Sequence, residues 1–137
     1  MSSRSKARKR ALDILFAADV RRLPLPDALR AEAERAASEP QREASWLYAR
    51  EIVDGVIENG AAIDEQISAH ADGWELARMP AVDRAILRIA VWEVLYSDSV
   101  PTAVAIDEAV EAAKTMSTDD SPSFVNGVLG AVAKAAG

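Results

Sequence analysis

One stretch of this sequence constrains the fold more than any other. Behind Pro80, the residues Val82, Ile86, Leu87, Ile89, Ala90, Val91, Trp92, Val94 and Leu95 leave only a narrow polar strip of Asp83, Arg84, Arg88 and Glu93. At 3.6 residues per turn this is a helix running to about Ser97, apolar around most of its circumference, and such a helix must be packed on several sides. Pro80 suits its lead-in, where a missing amide hydrogen would have no partner in any case. Arg88 and Glu93 interrupt the apolar run Ile86 to Tyr96, which is far shorter than the roughly 20 residues a bilayer span needs. The segment is predicted to be the central element of a helical core.

The rest of the chain reads as helices around it. Ala11, Leu12, Leu15, Phe16 and Ala18 recur at helical spacing over residues 3–22, and Leu23-Pro24-Leu25-Pro26 ends that segment. Residues 27–38 form a weakly apolar surface helix with Ala28, Leu29, Ala33 and Ala36 inward, closed by Pro40. Trp46, Leu47, Val53, Val56 and Ile57 give a wide stripe over 42–59, with Asn59-Gly60 as its stop, and Ile63 and Ile67 mark a shorter helix over 61–70. After Ser99-Val100-Pro101-Thr102, the residues Ile106, Ala109, Val110 and Ala113 define a helix with a single apolar face. In the cluster Ser117 to Pro122, Asp119, Asp120 or Ser121 can accept from the free amides of a last helix over 123–135, which buries Val125, Val128, Leu129 and Val132. Gly127 and Gly130 within it are expected to let a neighbouring helix or a ligand come close, and Trp46, Trp74 and Trp92 are expected in the core. No segment alternates with period two and no solenoid-length repeat is found. The fold class is all-α, a compact orthogonal bundle of about seven helices forming one domain over residues 1–137.

Composition removes most catalytic readings. The 137 residues include no cysteine and one histidine, His70, which excludes disulfides, cysteine-ligated metals and thiol nucleophiles and leaves no basis for a His-based triad. Neither glycine-rich signature for nucleotide phosphates is present, so no cofactor is expected. The acidic pairs Asp64-Glu65 and Asp107-Glu108 are helical neighbours that do not face each other, and they read as solvated faces. The stretch after the basic start carries Asp13 and Asp19 and lacks a small-residue cleavage pattern, so no signal peptide is expected and the cytoplasm is the expected compartment.

Charge is distributed unevenly. The chain has 16 basic and 22 acidic side chains, a net of −6, yet residues 1–10 hold Arg4, Lys6, Arg8, Lys9 and Arg10 with no acid. A basic arm on an acidic body suits phosphate contacts with counterion release, and it equally suits a solvated terminus that only aids solubility. Phe124 precedes the inward Val125 and lies beside the acidic cluster, where it can offer a stacking surface.

Three blocks carry a resemblance. The run Asp83-Arg84-Ala85-Ile86-Leu87-Arg88-Ile89-Ala90-Val91-Trp92-Glu93, then Val100-Pro101 with Val104-Ala105-Ile106-Asp107-Glu108-Ala109-Val110, and finally Phe124-Val125-Asn126-Gly127-Val128-Leu129, resemble in order and spacing the bacterial NusB transcription antitermination family. The basic first helix leading into Ala11-Leu12 and Leu15-Phe16 is similar to the family's opening, so the likeness spans essentially the whole chain.

The resemblance implies two perpendicular helical subdomains and a non-catalytic role. Such proteins pair with ribosomal protein S10 (NusE) and bind the boxA element of ribosomal RNA transcripts, nucleating an antitermination complex with other Nus factors on RNA polymerase. By this likeness Arg4, Lys6, Arg8, Lys9 and Arg10 lie at the family's RNA-binding arm, Asp120, Ser123 and Phe124 lie by the RNA surface, and Asp83 and Arg84 face NusE. The chain has no room for the methyltransferase domain to which this module is sometimes fused, and it looks like the stand-alone factor. Its arm is sparser in arginine than in several members, and lysine is a point charge where arginine is a fork, so NusE is expected to supply much of the RNA affinity. Members occur as monomers or homodimers, and a dimer formed through the arm would mask the RNA surface.

Overall fold

A computed structural model of the chain describes residues 2–137. Six α-helices are present: α1 (Ser3–Arg21), α2 (Leu25–Ala37), α3 (Glu43–His70), α4 (Ala81–Tyr96), α5 (Thr102–Met116) and α6 (Ser121–Ala136). Single 3-10 turns at Pro40–Arg42 and Leu76–Arg78 complete the list, and there is no strand among the described residues. The basic arm is part of α1. Ser2 caps that helix, its side chain accepting from the amide of Ser5 at 3.1 Å, and Arg22 ends it in the left-handed region at φ 56°.

The expected helices over 42–59 and 61–70 are one element. Asn59 departs from helical geometry at φ −115° and ψ 18°, and its side-chain amide donates to the Gly55 carbonyl at 3.0 Å. Asn59-Gly60 therefore bends α3 rather than ending it, because Ile63 and Ile67 beyond the bend are fully buried and carry the helix back onto the core. This merger accounts for six helices where the apolar pattern suggested about seven.

α1 and α2 pack on α3, while α4, α5 and α6 pack on one another, and α4 also lies against α1 and α3. The nearly all-round burial of α4 follows from that position: Leu87 and Val91 are fully enclosed, and Ile86, Ile89, Ala90 and Trp92 are buried as well. A Cβ at Gly55 would overlap the Trp92 indole nitrogen, so it is Gly55 that lets α3 and α4 approach closely. Gly127 and Gly130, expected to serve such a contact, are exposed, and a Cβ on either would meet nothing within 4 Å. Trp46 and Trp92 are in the core as expected. Trp74 is not: it sits in the turn after α3 and is 52% exposed.

Candidate nucleic-acid and partner interface

Helical spacing sorts the basic residues of α1 by face. Ala7 and Ala11 are fully buried against the body and bring Arg8 with them. The Arg8 guanidinium donates through Nε to both oxygens of the Glu93 carboxylate, at 2.8 and 3.1 Å, and its side chain is only 11% exposed. Glu93, on α4, is 1% exposed and also accepts from the Tyr48 hydroxyl of α3. Glu108 of α5 accepts from Ser5 at 2.8 Å and lies 3.6 Å from Arg8. One buried carboxylate thus ties three helices together beneath the arm, and every buried polar side-chain atom among the described residues has a partner.

The protonation states follow from this enclosure. Burial opposes the Arg8 charge, yet the hydrogen bond and charge of Glu93 outweigh it and hold the guanidinium pKa above its usual value. The Tyr48 hydroxyl is pushed well above its usual range, first by burial and then by its bond to Glu93.

Of the other arm cations, Arg4, Lys6 and Lys9 are exposed and Arg10 is half-buried. The Arg4 guanidinium carbon lies 4.4 Å from the centre of the Tyr48 ring, a cation–π contact, and its Nη1 donates to the Ser99 carbonyl at 3.5 Å. Lys6 is exposed, Lys9 pairs with Asp13 at 2.7 Å on the surface, and Arg10 lies 5.5 Å over Trp46 while reaching Ser45 at 3.2 Å. Pairs as exposed as Lys9–Asp13 contribute little to stability and give way readily to a phosphate.

Of the residues expected to face NusE, Asp83 is buried and Arg84 is half-buried. Asp83, in the first turn of α4, is 2% exposed, and its carboxylate accepts from the hydroxyls of Ser117 and Ser121, the latter at 2.8 Å. Arg84 donates to Asp19 of α1 at 2.9 Å and to the Met79 and Leu76 carbonyls at 2.7 and 3.0 Å. Both residues position α4, Arg84 against α1 and the turn 71–79 and Asp83 against the start of α6. On α1, which Arg84 grips through Asp19, Phe16 and Val20 stand one turn apart and, with Leu23 after the helix, are exposed apolar side chains, Val20 at 57%.

At the start of α6, Asp120 occupies the cap position but its side chain makes no cap bond, contrary to the expectation for this acidic cluster. Ser121 turns inward to Asp83 instead. Asp120 and Ser123 are exposed, while Phe124 is half-buried with its ring centre 5.9 Å from that of Trp74. The arm and this second cluster lie toward opposite ends of α4. Glu93 beneath the arm and Asp83 beneath the start of α6 are ten residues apart, about 15 Å along the axis.

The comparisons decide the family. The NusB family model matches residues 5–134. The chain belongs to the NusB family. A transcription antitermination protein NusB from Leifsonia xyli subsp. xyli is 70% identical, over 98% of this chain and 93% of that protein. Another from Clavibacter sepedonicus is 56% identical over 98% of each. Among solved structures, T. maritima NusB superposes with a TM-score of 0.84 at 36% identity, covering 96% of this chain and 90% of that one. The structure of antitermination factors NusB and NusE in complex with dsRNA gives 0.82 at 26% identity, covering 98% of each chain.

Within this NusB fold, the block Phe124 to Leu129 divides by burial. Val125, Val128 and Leu129 enter the core, while Asn126 and Gly127 face solvent. Sequence reasoning missed Glu93, Tyr48, Ser117, Ser121 and Trp74 as parts of the site. Glu93 did carry a signal, an acid inside an otherwise apolar stretch, since such a group requires a buried partner. Among the described residues no cluster of ligating side chains could hold a metal ion, and no helix is long and apolar enough to cross a membrane.

Proposed function

We propose that this chain is a non-catalytic, cytoplasmic antitermination factor that binds boxA RNA of ribosomal RNA transcripts together with NusE. The observation that carries the reading is the division of labour in α1. Arg8 is locked onto Glu93 and anchors the helix, Arg10 lies half-buried against Trp46 and Ser45, and Arg4, Lys6 and Lys9 are thereby displayed toward solvent on a rigid scaffold. A rigid row of cations contacts phosphates with little loss of conformational freedom on binding. The family's NusB–NusE–RNA complex supports the same assignment. NusE docks over Phe16, Val20 and Leu23, on the helix that Arg84 holds through Asp19, and the pair recruits the other Nus factors and RNA polymerase. At the second cluster, Asp120, Ser123 and Phe124 line the path of the RNA.

The test is binding of a boxA-type single-stranded RNA against a scrambled control, at two salt concentrations, with and without NusE. In a variant with Arg4, Lys6, Lys9 and Arg10 neutralised and Arg8 kept, the slope of log affinity against log salt should shrink by up to about 3, from roughly 0.7 per phosphate contact on a single strand. An unchanged slope, or no preference for boxA over the scramble, contradicts the proposal.

A further inference from the structure

The close contact of α3 with α4 leaves one donor without an acceptor. Trp92 is only 6% exposed, and its indole nitrogen sits where a side chain at position 55 would be, over the bare backbone of Gly55. An enclosed indole N–H ordinarily finds an acceptor, but this one has none among the described residues. Since every buried polar side-chain atom does have a partner, the Trp92 Nε1 is the part of that ring that reaches solvent. It opens into a shallow groove whose α3 wall is Leu47, Glu51, Asp54 and Glu58, on one side of the helix over three turns, and whose α4 wall ends in Tyr96. Leu47 is 55% and Tyr96 41% exposed, and the three carboxylates are exposed as well. Arg50 is the only cation lining the groove among the described residues, and it lies 3.8 Å from Asp54 in an exposed pair that gives way readily. No residue of α1, α5 or α6 lines it, so the groove is separate from the basic arm and from the face assigned to NusE.

These groups together select an occupant. Three carboxylates repel a nucleic acid, and a metal ion offers the indole N–H nothing to donate to. An apolar helix laid here would strip water from the carboxylates without replacing it. A basic polypeptide satisfies every group at once. Its backbone carbonyl accepts from the Trp92 Nε1, its guanidinium groups pair with the carboxylates and stack on the Tyr96 ring, and their aliphatic stems cover Leu47. The spacing agrees: successive acids rise by about 4.5 and 6 Å along α3, close to the roughly 6.6 Å between alternate side chains of an extended chain. We propose that the groove between α3 and α4 docks an extended, arginine-rich segment of a partner protein, with Glu51, Asp54 and Glu58 as its charge contacts and the Trp92 Nε1 as donor to its backbone. This gives the chain a further protein-binding face, one that does not depend on how it reads RNA.

The probe is a hexapeptide of alternating arginine and glycine, blocked at both ends, titrated into the full chain while NMR follows the Trp92 indole N–H signal; the matching glutamate–glycine peptide is the control. One variant combines Glu51→Gln, Asp54→Asn and Glu58→Gln. A second, with Asp72→Asn, Glu75→Gln and Asp119→Asn, removes the same charge elsewhere. All six acids are exposed, so both variants should keep the wild-type helical circular dichroism. The arginine peptide should bind wild type and move the Trp92 signal, the groove variant should lose about tenfold in affinity, and the second variant should lose far less. NusE binding, measured in parallel, should be the same for all three proteins. Equal losses in the two variants would mean that the peptide senses only the acidity of the body, and an unmoved Trp92 signal would place it elsewhere; either result overturns the proposal. If the groove variant loses NusE binding, the groove belongs to the NusE contact and the proposal falls. It falls too if wild type self-associates in sedimentation and the groove variant does not, since the occupant is then the arm of a second copy.

Discussion

The Nε of Arg8 lies 2.8 Å from one oxygen and 3.1 Å from the other oxygen of the Glu93 carboxylate, in the buried seam between α1 and α4. Removing one member of such a pair leaves a buried charge uncompensated, which typically costs about 3–5 kcal/mol. Glu93→Ala should therefore lower the unfolding free energy by roughly that amount. Replacing both members by apolar residues, Arg8→Met with Glu93→Leu, should cost less than Glu93→Ala alone. Urea denaturation of the three variants checks this, and a double variant less stable than the single one would contradict it.

Tyr48 links the same pair to pH. Its hydroxyl pKa is raised by burial and by Glu93, so the folded chain keeps this proton to higher pH than the unfolded chain, whose tyrosine titrates near about 10. The resulting stability is complete below about pH 10 and is lost as the pH climbs above it. Between pH 8 and 11, wild type should lose stability relative to Tyr48→Phe, read from urea midpoints. A constant gap between the two would refute the coupling.

The glycines should respond in opposite directions. Gly55→Ala drives a methyl group into Trp92 and should destabilise by about 1–3 kcal/mol, the usual range for overpacking. Gly127→Ala and Gly130→Ala place a methyl group in open space on a helix and should each stabilise by up to about 1 kcal/mol. Thermal melts of the three single variants read the contrast directly.

At the partner face, surface and support should separate. Phe16→Ala with Val20→Ala should weaken NusE binding by about tenfold or more while leaving the melting temperature close to wild type, as expected for exposed anchor residues. Asp83→Ala removes the acceptor of the Ser117 and Ser121 hydroxyls and should cost about 1–3 kcal/mol of stability. If Asp83→Ala instead kept full stability and abolished NusE binding, Asp83 would be a direct contact.

Periodicity and proline punctuation were enough to specify an all-helical chain, the central place of α4 and the inward set Val125, Val128, Leu129 and Val132, because these depend on which residues share a helix face. The uneven charge of residues 1–10 likewise marked the arm, and the family motifs marked Phe124. What spacing along the chain does not encode is the partner a side chain meets across the fold. Arg8 and Lys9 are adjacent cations in sequence, yet 100° of helical rotation sends one into Glu93 and the other to the surface beside Asp13. Asp83 was expected to face NusE by the family likeness and from its place on the polar strip of α4, and two serines brought from 34 and 38 residues away made its burial affordable. Trp74 was expected inside because tryptophan usually is, and a turn fixed by Gly73 holds it outside against Phe124. Local sequence decided which elements form and which face of each is apolar. The tertiary packing decided which charges are consumed in holding the helices together and which remain free to bind, since a buried charge is tolerated only where a partner from another element meets it.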